Sequence, residues 1–219
     1  MRQAFLRGTR PSNAVLSEPL LIHELVHKDH GMWMTDLPEE LNQIEELMFT
    51  VEPAGSVLVG GLGLGILPTK VAWRAEVDHV TVIELDKDII KLCANGADFD
   101  VVEADITNYL RTTSDRFDFY LLDTWQGTNE GTWWSEAMPM RRLIRQRWGT
   151  RPVVHCWAED IMQGQIFQAL TTKSPHWYTK HLPVPMYEKE ARSFLRNVGL
   201  PTWEKRYGKA VDKATQEQE

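Results

Sequence analysis

Cysteine is almost missing from this chain: Cys93 and Cys156 stand far apart, and two isolated thiols supply neither a disulfide framework nor metal-ligand spacing. Long apolar runs are missing too. Nothing approaches the ~20 residues of a membrane-spanning helix. Residues 1–11 lack the apolar stretch of a secretory signal, so a reducing, cytoplasmic setting is expected. Positive charge is in deficit, with 24 Lys and Arg against 31 Asp and Glu. The resulting formal charge of −7 argues against sequence-independent nucleic-acid binding, which rests on basic patches. Repeats and low-complexity tracts are absent as well. What is left is a soluble globular composition, 42% hydrophobic and 25% charged, long enough for one well-buried α/β domain with an extension. Nine tryptophans are the one compositional excess.

The most informative stretch runs from Ser56 to Asp86. Val57, Leu58 and Val59 form a short apolar run, the pattern of a strand buried on both faces. Gly60, Gly61, Gly63 and Gly65 follow, as suits a tight turn whose backbone stays open to a ligand. From about Leu64 the pattern turns helical, with Leu67, Val71 and Trp73 as inward candidates. A second apolar run, residues 79–83, ends in Glu84-Leu85-Asp86. Glu84 stands 23 positions after Gly61. Strand, glycine turn, helix, strand and terminal acid is the layout of a nucleoside-binding βαβ unit, in which the acid accepts hydrogen bonds from ribose. A dinucleotide site wants a third small residue where Ile66 stands. Here the glycines recur at every second position instead.

That spacing resembles the glycine motif of the class I S-adenosylmethionine (SAM)-dependent methyltransferases and of their relatives, the spermidine synthases. The likeness covers residues 32–160, from Met32-Trp33-Met34-Thr35-Asp36 onward. It implies an α/β, Rossmann-like, doubly wound and mainly parallel sheet of order 3-2-1-4-5, here without clear strands 6 and 7. It also implies S-adenosyl-L-methionine as cofactor, with contacts from Gly61, Gly63, Gly65, Glu84, Leu85, Asp105, Ile106 and Asp123. In the family, the acid at the place of Asp105 meets the adenine amino group, and its apolar neighbour packs on the ring. Asp105 is equally suited to cap the helix that follows it.

Three parts are expected: an N-terminal extension (1–50), a SAM-binding domain (51–170) and a helical C-terminal appendage (171–219). Residues 1–18 read as an irregular arm, and residues 20–34 as a hairpin. Within the hairpin, His23-Glu24-Leu25-Val26-His27 matches a zinc-protease pattern that works only on a helix. On a strand Glu24 would point away from the two histidines, so the match reads as chance and no metal is expected. Asp36 and Glu39 suit a capping box for a helix that continues to about Phe49. Asp86 caps a helix from Lys87 to about Cys93, ended by Asn95-Gly96. Residues 99–104, 117–122 and 152–157 read as the third to fifth strands. Arg141, Arg142, Arg145 and Arg147 read as an exposed face of a helix opened by Trp133-Trp134. His155 reads as a core histidine. Beyond 171, Pro183, Pro185 and Pro201 discourage central strands, and residues 188–197 read as a helix.

Asp123 ends the fourth strand, at the topological switch where open α/β sheets bind ligands. A carboxylate there holds the donor's ammonium, orients an acceptor or takes its proton, which makes Asp123 the catalytic candidate. Three readings of the reaction stand. Methyl transfer needs mainly alignment behind a sulfonium and exclusion of water, which suits the lack of any triad. The acceptor is not legible, because Asp/Asn-Pro-Pro-Tyr is replaced by Asp123-Thr124-Trp125-Gln126. Aminopropyl transfer ranks lower, because Leu64 stands where spermidine synthases carry an aspartate, and Asp123 with Glu130 are too few acids for a polyamine. A non-catalytic binding or assembly protein on the same scaffold is the third reading. Trp125, Trp133, Trp134 and Trp157 map near the crevice and suit stacking on a base, core packing or a protein interface, including a homo-oligomer.

Overall fold

The structure is a computed structural model, and it describes residues 2–6, 20–27, 31–125, 133–159 and 161–162. The chain forms two compact units. One comprises residues 1–129 and 141–157, and the other residues 130–140 and 158–219.

The first unit begins with an antiparallel sheet of three strands, β1 (Arg2–Leu6), β2 (Leu20–His27) and β3 (Gly31–Thr35), in that order. The hairpin expected over residues 20–34 is therefore present. The irregular arm expected over 1–18 is corrected at its start, where β1 pairs with the open edge of β2. An unpaired strand edge offers backbone donors and acceptors to any adjacent segment, a pull that local patterning does not reveal.

Helix α1 (Pro38–Val51) follows, with Pro38 in the first turn. Its cap differs from expectation. Leu37 is the N-cap residue and makes no side-chain cap. The Asp36 carboxylate instead takes the backbone N–H of His23 at 2.6 Å and the His23 ring Nδ1 at 2.7 Å. Glu40, not Glu39, reaches back to accept from Thr35, from the backbone N–H at 3.2 Å and from Oγ1 at 2.9 Å. The sheet before the helix thus supplies the partners that a capping box would otherwise provide.

The larger sheet is parallel and has five strands: β4 (Gly55–Gly60), β5 (Val77–Glu84), β6 (Asp100–Glu103), β7 (Phe119–Leu122) and β8 (Val153–Cys156). Their order is β6-β5-β4-β7-β8, which is 3-2-1-4-5 in the numbering of this sheet alone. This is a Rossmann-like, doubly wound arrangement. β4 is central and reads as a continuous apolar run because both faces are covered: Val57, Leu58 and Val59 have no exposed surface. Val57 and Val59 join Leu25 of β2, Ile44, Leu47 and Met48 of α1, and Leu67 and Val71 of α2 (Ile66–Ala72) in one core. The expected strands 6 and 7, and the expected helix at 188–197, lie outside the described residues.

Helix α3 (Lys87–Cys93) starts as expected, with the Asp86 side chain accepting from Asp88 N at 2.7 Å and Ile89 N at 3.4 Å. Asp86→Ala removes both bonds, so it is expected to cost about 1 kcal/mol in a urea unfolding series. Helix α4 (Ile106–Thr112) is capped by Asp105, whose Oδ1 accepts from Asn108 N at 2.8 Å.

Two inward and outward assignments are corrected. Trp73 caps the C-terminus of α2 and is 71% exposed, because two residues beyond Val71 is about 200° around the helix, on the face opposite the core. Arg141, on helix α5 (Met138–Trp148), is 7% exposed, and its guanidinium donates to the Val154 carbonyl at 2.7 Å. Arg147 donates to the carbonyls of Leu110 and Thr113, both at 2.6 Å. These two arginines tie backbone ends together, a use that composition alone does not distinguish from a solvated face. Arg142 is exposed as expected, and His155 is half-buried.

Of the second unit, a π-helical turn (Trp133–Ala137), the first residues of α5, and residues 158, 159, 161 and 162 are described. Trp133, Ala137, Met140 and Met162 are buried.

Candidate active site

The glycine turn joins β4 to α2 at the C-terminal edge of the sheet. Gly61, Gly63 and Gly65 all have positive φ, at 92°, 52° and 76°. At Gly61 the need is steric as well as conformational. A Cβ there would lie 1.9 Å from the Asp123 carbonyl oxygen. At this level Asp123 N–H donates to the Gly60 carbonyl, locking β7 to β4, and Gly61 N–H donates to the Ile83 carbonyl, locking β4 to β5, both at 2.8 Å. Three strand ends therefore meet at Gly61: its own, that of β5 and that of β7.

Glu84 closes β5 and aims back at the turn. Its Oε2 accepts from Leu62 N–H at 2.8 Å, and its Oε1 accepts from Leu85 and Asp86 N–H at 2.8 and 2.9 Å. A carboxylate has about four acceptor sites, so these three donors leave room for about one more. Leu85, the next residue, is 65% exposed. Asp105 and Ile106 stand at the end of β6. Asp105 spends one oxygen on its cap, while Ile106 is buried, with its Cδ1 3.5 Å from where a Gly60 Cβ would lie.

The N-terminal sheet reaches the same edge. Met34 Sδ accepts from Leu64 N–H at 3.3 Å and lies 2.5 Å from where a Gly63 Cβ would be. The next two residues, Thr35 and Asp36, hold Glu40 and His23. The zinc-protease pattern thus lies on a strand, with its first histidine paired to an aspartate.

Asp123 follows β7. The protein surrounds it densely, yet the residue keeps part of its surface open. Its carboxyl is pushed up to about 7, first by burial and then by the negative charges of Glu40 and Glu84. Glu40 is itself raised, chiefly by burial; the Thr35 hydrogen bonds oppose this and Asp36 adds to it. Two residues on, the Trp125 indole Nε1 is enclosed without a hydrogen-bond partner among the described residues.

The structure therefore brings Gly61, Gly63, Gly65, Glu84 and Asp123 to one edge, with Leu85, Asp105 and Ile106 at the neighbouring strand ends. Sequence reasoning missed Glu40 and Met34. Their signal was faint: two residues flanking Asp36, one at the end of a strand and one in the first turn of a helix, with no local feature that aims them at the crevice. Of the four crevice tryptophans, Trp157 packs against the central core, and Trp133 belongs to the second unit.

No protein-family model and no curated protein matches this sequence. Several solved structures do resemble it. The precorrin 8W decarboxylase of Methanobacterium thermoautotrophicum is 18% identical over 60% of this chain and 68% of its own, with a TM-score of 0.41. Human methyltransferase-like protein 13, in complex with SAH, is 14% identical over 72% of this chain and 88% of its own, with a TM-score of 0.38. The spermidine synthase of Thermotoga maritima is 17% identical over 57% of this chain and 60% of its own, at 0.39. The solved chains that this protein resembles are for the most part SAM-dependent methyltransferases of the class I fold.

Proposed function

We infer that this protein binds S-adenosyl-L-methionine across the ends of β4, β5 and β7 and transfers its methyl group to an acceptor. One observation carries the reading: a left-handed glycine turn, an acid with one spare acceptor site and a half-open aspartate converge at the topological switch of a 3-2-1-4-5 sheet. In an open α/β sheet that is where a ligand binds.

The residues present fit such a cofactor. Glu84 takes one ribose hydroxyl at Oε2 while it continues to hold the turn. Leu85 offers an apolar face beside it for the adenine ring, and Ile106 adds a buried edge. The free oxygen of Asp105 accepts from the adenine amino group. Gly61, Gly63 and Gly65 let the chain pass under the ligand. Asp123 faces the reacting end as the acid–base and charge-bearing group. Bound SAM supplies an activated methyl on a sulfonium; the protein's task is to position the acceptor and exclude water.

Calorimetric titration with SAM, decarboxylated SAM and NAD tests this. SAM is expected to bind tightest, and a preference for NAD would overturn the reading of the turn. Glu84→Ala is expected to weaken SAM by about 1.5–3 kcal/mol, the cost of losing a charged hydrogen-bond acceptor. Unchanged affinity would remove Glu84 from the site. Aminopropyl transfer is the second reading. Glu40 favours it by adding a negative charge felt at Asp123 to the two acids of residues 123–130, and decarboxylated SAM would then bind tightest.

A further inference from the structure

Helices α1 and α2 share one core. Ile44, Leu47 and Met48 of the first and Leu67 and Val71 of the second pack with Val57 and Val59 of β4. On their outer side the two helices are joined twice. The Lys70 ammonium pairs with the Glu45 carboxylate, and the Arg74 guanidinium donates to the Met48 carbonyl at 3.4 Å. The helices therefore advance in the same direction across this contact. One turn beyond the ion pair, α1 presents Phe49 and α2 presents Trp73. They stand four and three residues past Glu45 and Lys70, so each lies on its partner's side of its own helix. Both rings face water: Phe49 is 81% exposed and Trp73 71%. Two aromatic side chains so exposed offer on the order of 300 Å² of apolar surface, a size at which a patch is often functional.

This patch stands at the edge of the sheet away from the glycine turn. α1 ends at Val51 and β4 starts at Gly55, while α2 ends at Ala72 and β5 starts at Val77. Gly55 and Val77 are paired. The turn lies at the far end of β4, roughly 20 Å away. The rim of the patch is acidic. Glu46 and Glu52 flank Phe49, three residues to either side, and both are exposed. Neither has an ion-pair partner among the described residues. The nearby cations are already committed, Lys70 to Glu45 and Arg74 to the Met48 carbonyl and, at 3.6 Å, to Glu76. Such a rim repels a phosphate backbone or an anionic lipid surface. Two-fold pairing of the face with itself would set acid against acid. A guest that is apolar at its centre and cationic around it is complementary on both counts.

We propose that Phe49 and Trp73, with Glu46 and Glu52 beside them, form a docking surface for a basic, apolar-anchored segment of a partner protein. The segment lays its apolar side chains on the two rings and sets arginine or lysine against the two acids. An arginine also stacks on the Trp73 indole. This surface goes beyond the cofactor reading and does not rest on it.

The test is fluorescence anisotropy with a short labelled peptide of arginine and leucine in amphipathic helical order. One counterpart carries glutamate for arginine and another serine for leucine. The arginine–leucine peptide is expected to bind at least tenfold tighter than either. Phe49→Ser and Trp73→Ser remove no buried contact, so the urea midpoint should hold while each weakens the peptide at least fivefold. Glu46→Lys combined with Glu52→Lys should weaken it at least tenfold and flatten its salt dependence. SAH affinity should stay within twofold in all of these variants. Equal binding of the glutamate peptide, or an affinity unmoved by the substitutions, overturns the surface. Cosedimentation with phosphatidylcholine–phosphatidylserine vesicles that is lost in Trp73→Ser would assign the rings to a membrane. A concentration-dependent dimer in sedimentation velocity, lost in the same variant, would assign them to a second copy of the chain. Either result overturns the basic-segment proposal. If the parent protein binds the peptide and not SAH, the cofactor reading fails alone.

Discussion

Gly61→Ala is expected to remove most or all of the stability of the first unit. Two costs combine at this position. A φ of 92° is unfavourable for any residue with a Cβ, by about 1–2 kcal/mol. The added Cβ would also meet the Asp123 carbonyl oxygen at 1.9 Å, far inside contact distance. The clash has no cheap relief, because the atom met is backbone. Moving it would break the pairing of Gly60 with Leu122 and the bond from Asp123 N–H to the Gly60 carbonyl. The combined loss should exceed about 4 kcal/mol, in the range reserved for strain plus core disruption. Gly63→Ala and Gly65→Ala are the internal controls. The first meets the Met34 sulfur, the far part of a flexible side chain, and the second meets the Cys93 carbonyl at 3.3 Å. Each should cost about 1–2 kcal/mol, mostly from φ. Urea unfolding of the three variants reads the order directly. A Gly61→Ala protein within 1 kcal/mol of Gly65→Ala would mean that β7 does not approach the turn as described.

The same turn shows what the sequence makes legible. Glycine at every second position, between an apolar run and an acid-ended one, fixes the turn, the strands on either side and the ligand edge, because each feature is local. Asp86 and Asp105 as caps were readable for the same reason: donor and acceptor are two or three residues apart. The strand order followed from the fold resemblance and agrees with the sheet. What escaped depends on partners distant in sequence. Asp36 has the spacing of a cap, yet a strand thirteen residues earlier supplies a better donor in His23. Arg141 looks solvated until β8 brings the Val154 carbonyl to it. Glu40 has the appearance of any first-turn acid, and only β3 reveals its use, through the Thr35 N–H and hydroxyl.

Asp123 should make the protein less stable as pH rises, in a window where most proteins are level. Its carboxyl loses its proton near 7 in the native state, against an ordinary 3.8. Below about pH 4 native and unfolded chains both hold that proton, and the group is neutral to the balance. Between about 4 and 7 the unfolded chain gives the proton up while the native chain keeps it, so each step upward in pH favours unfolding. Above about 7 both are ionised, and the loss is complete. At 1.36 kcal/mol per pH unit the loss across this window amounts to roughly 4 kcal/mol. Glu40, raised for the same cause, adds to the slope with the same sign. Asp123→Asn keeps the shape and removes the charge, so it should flatten most of this slope and be more stable than the parent at pH 8. Denaturant midpoints measured at half-unit intervals from pH 4.5 to 8 decide it. A parent protein whose stability is flat or rising over that range would show that the carboxyl is ordinarily solvated. A bound cation offsets the same penalty, so any ligand that pairs with Asp123 should stabilise the protein more at pH 8 than at pH 5. Stability given up at Asp123 is then recovered on binding.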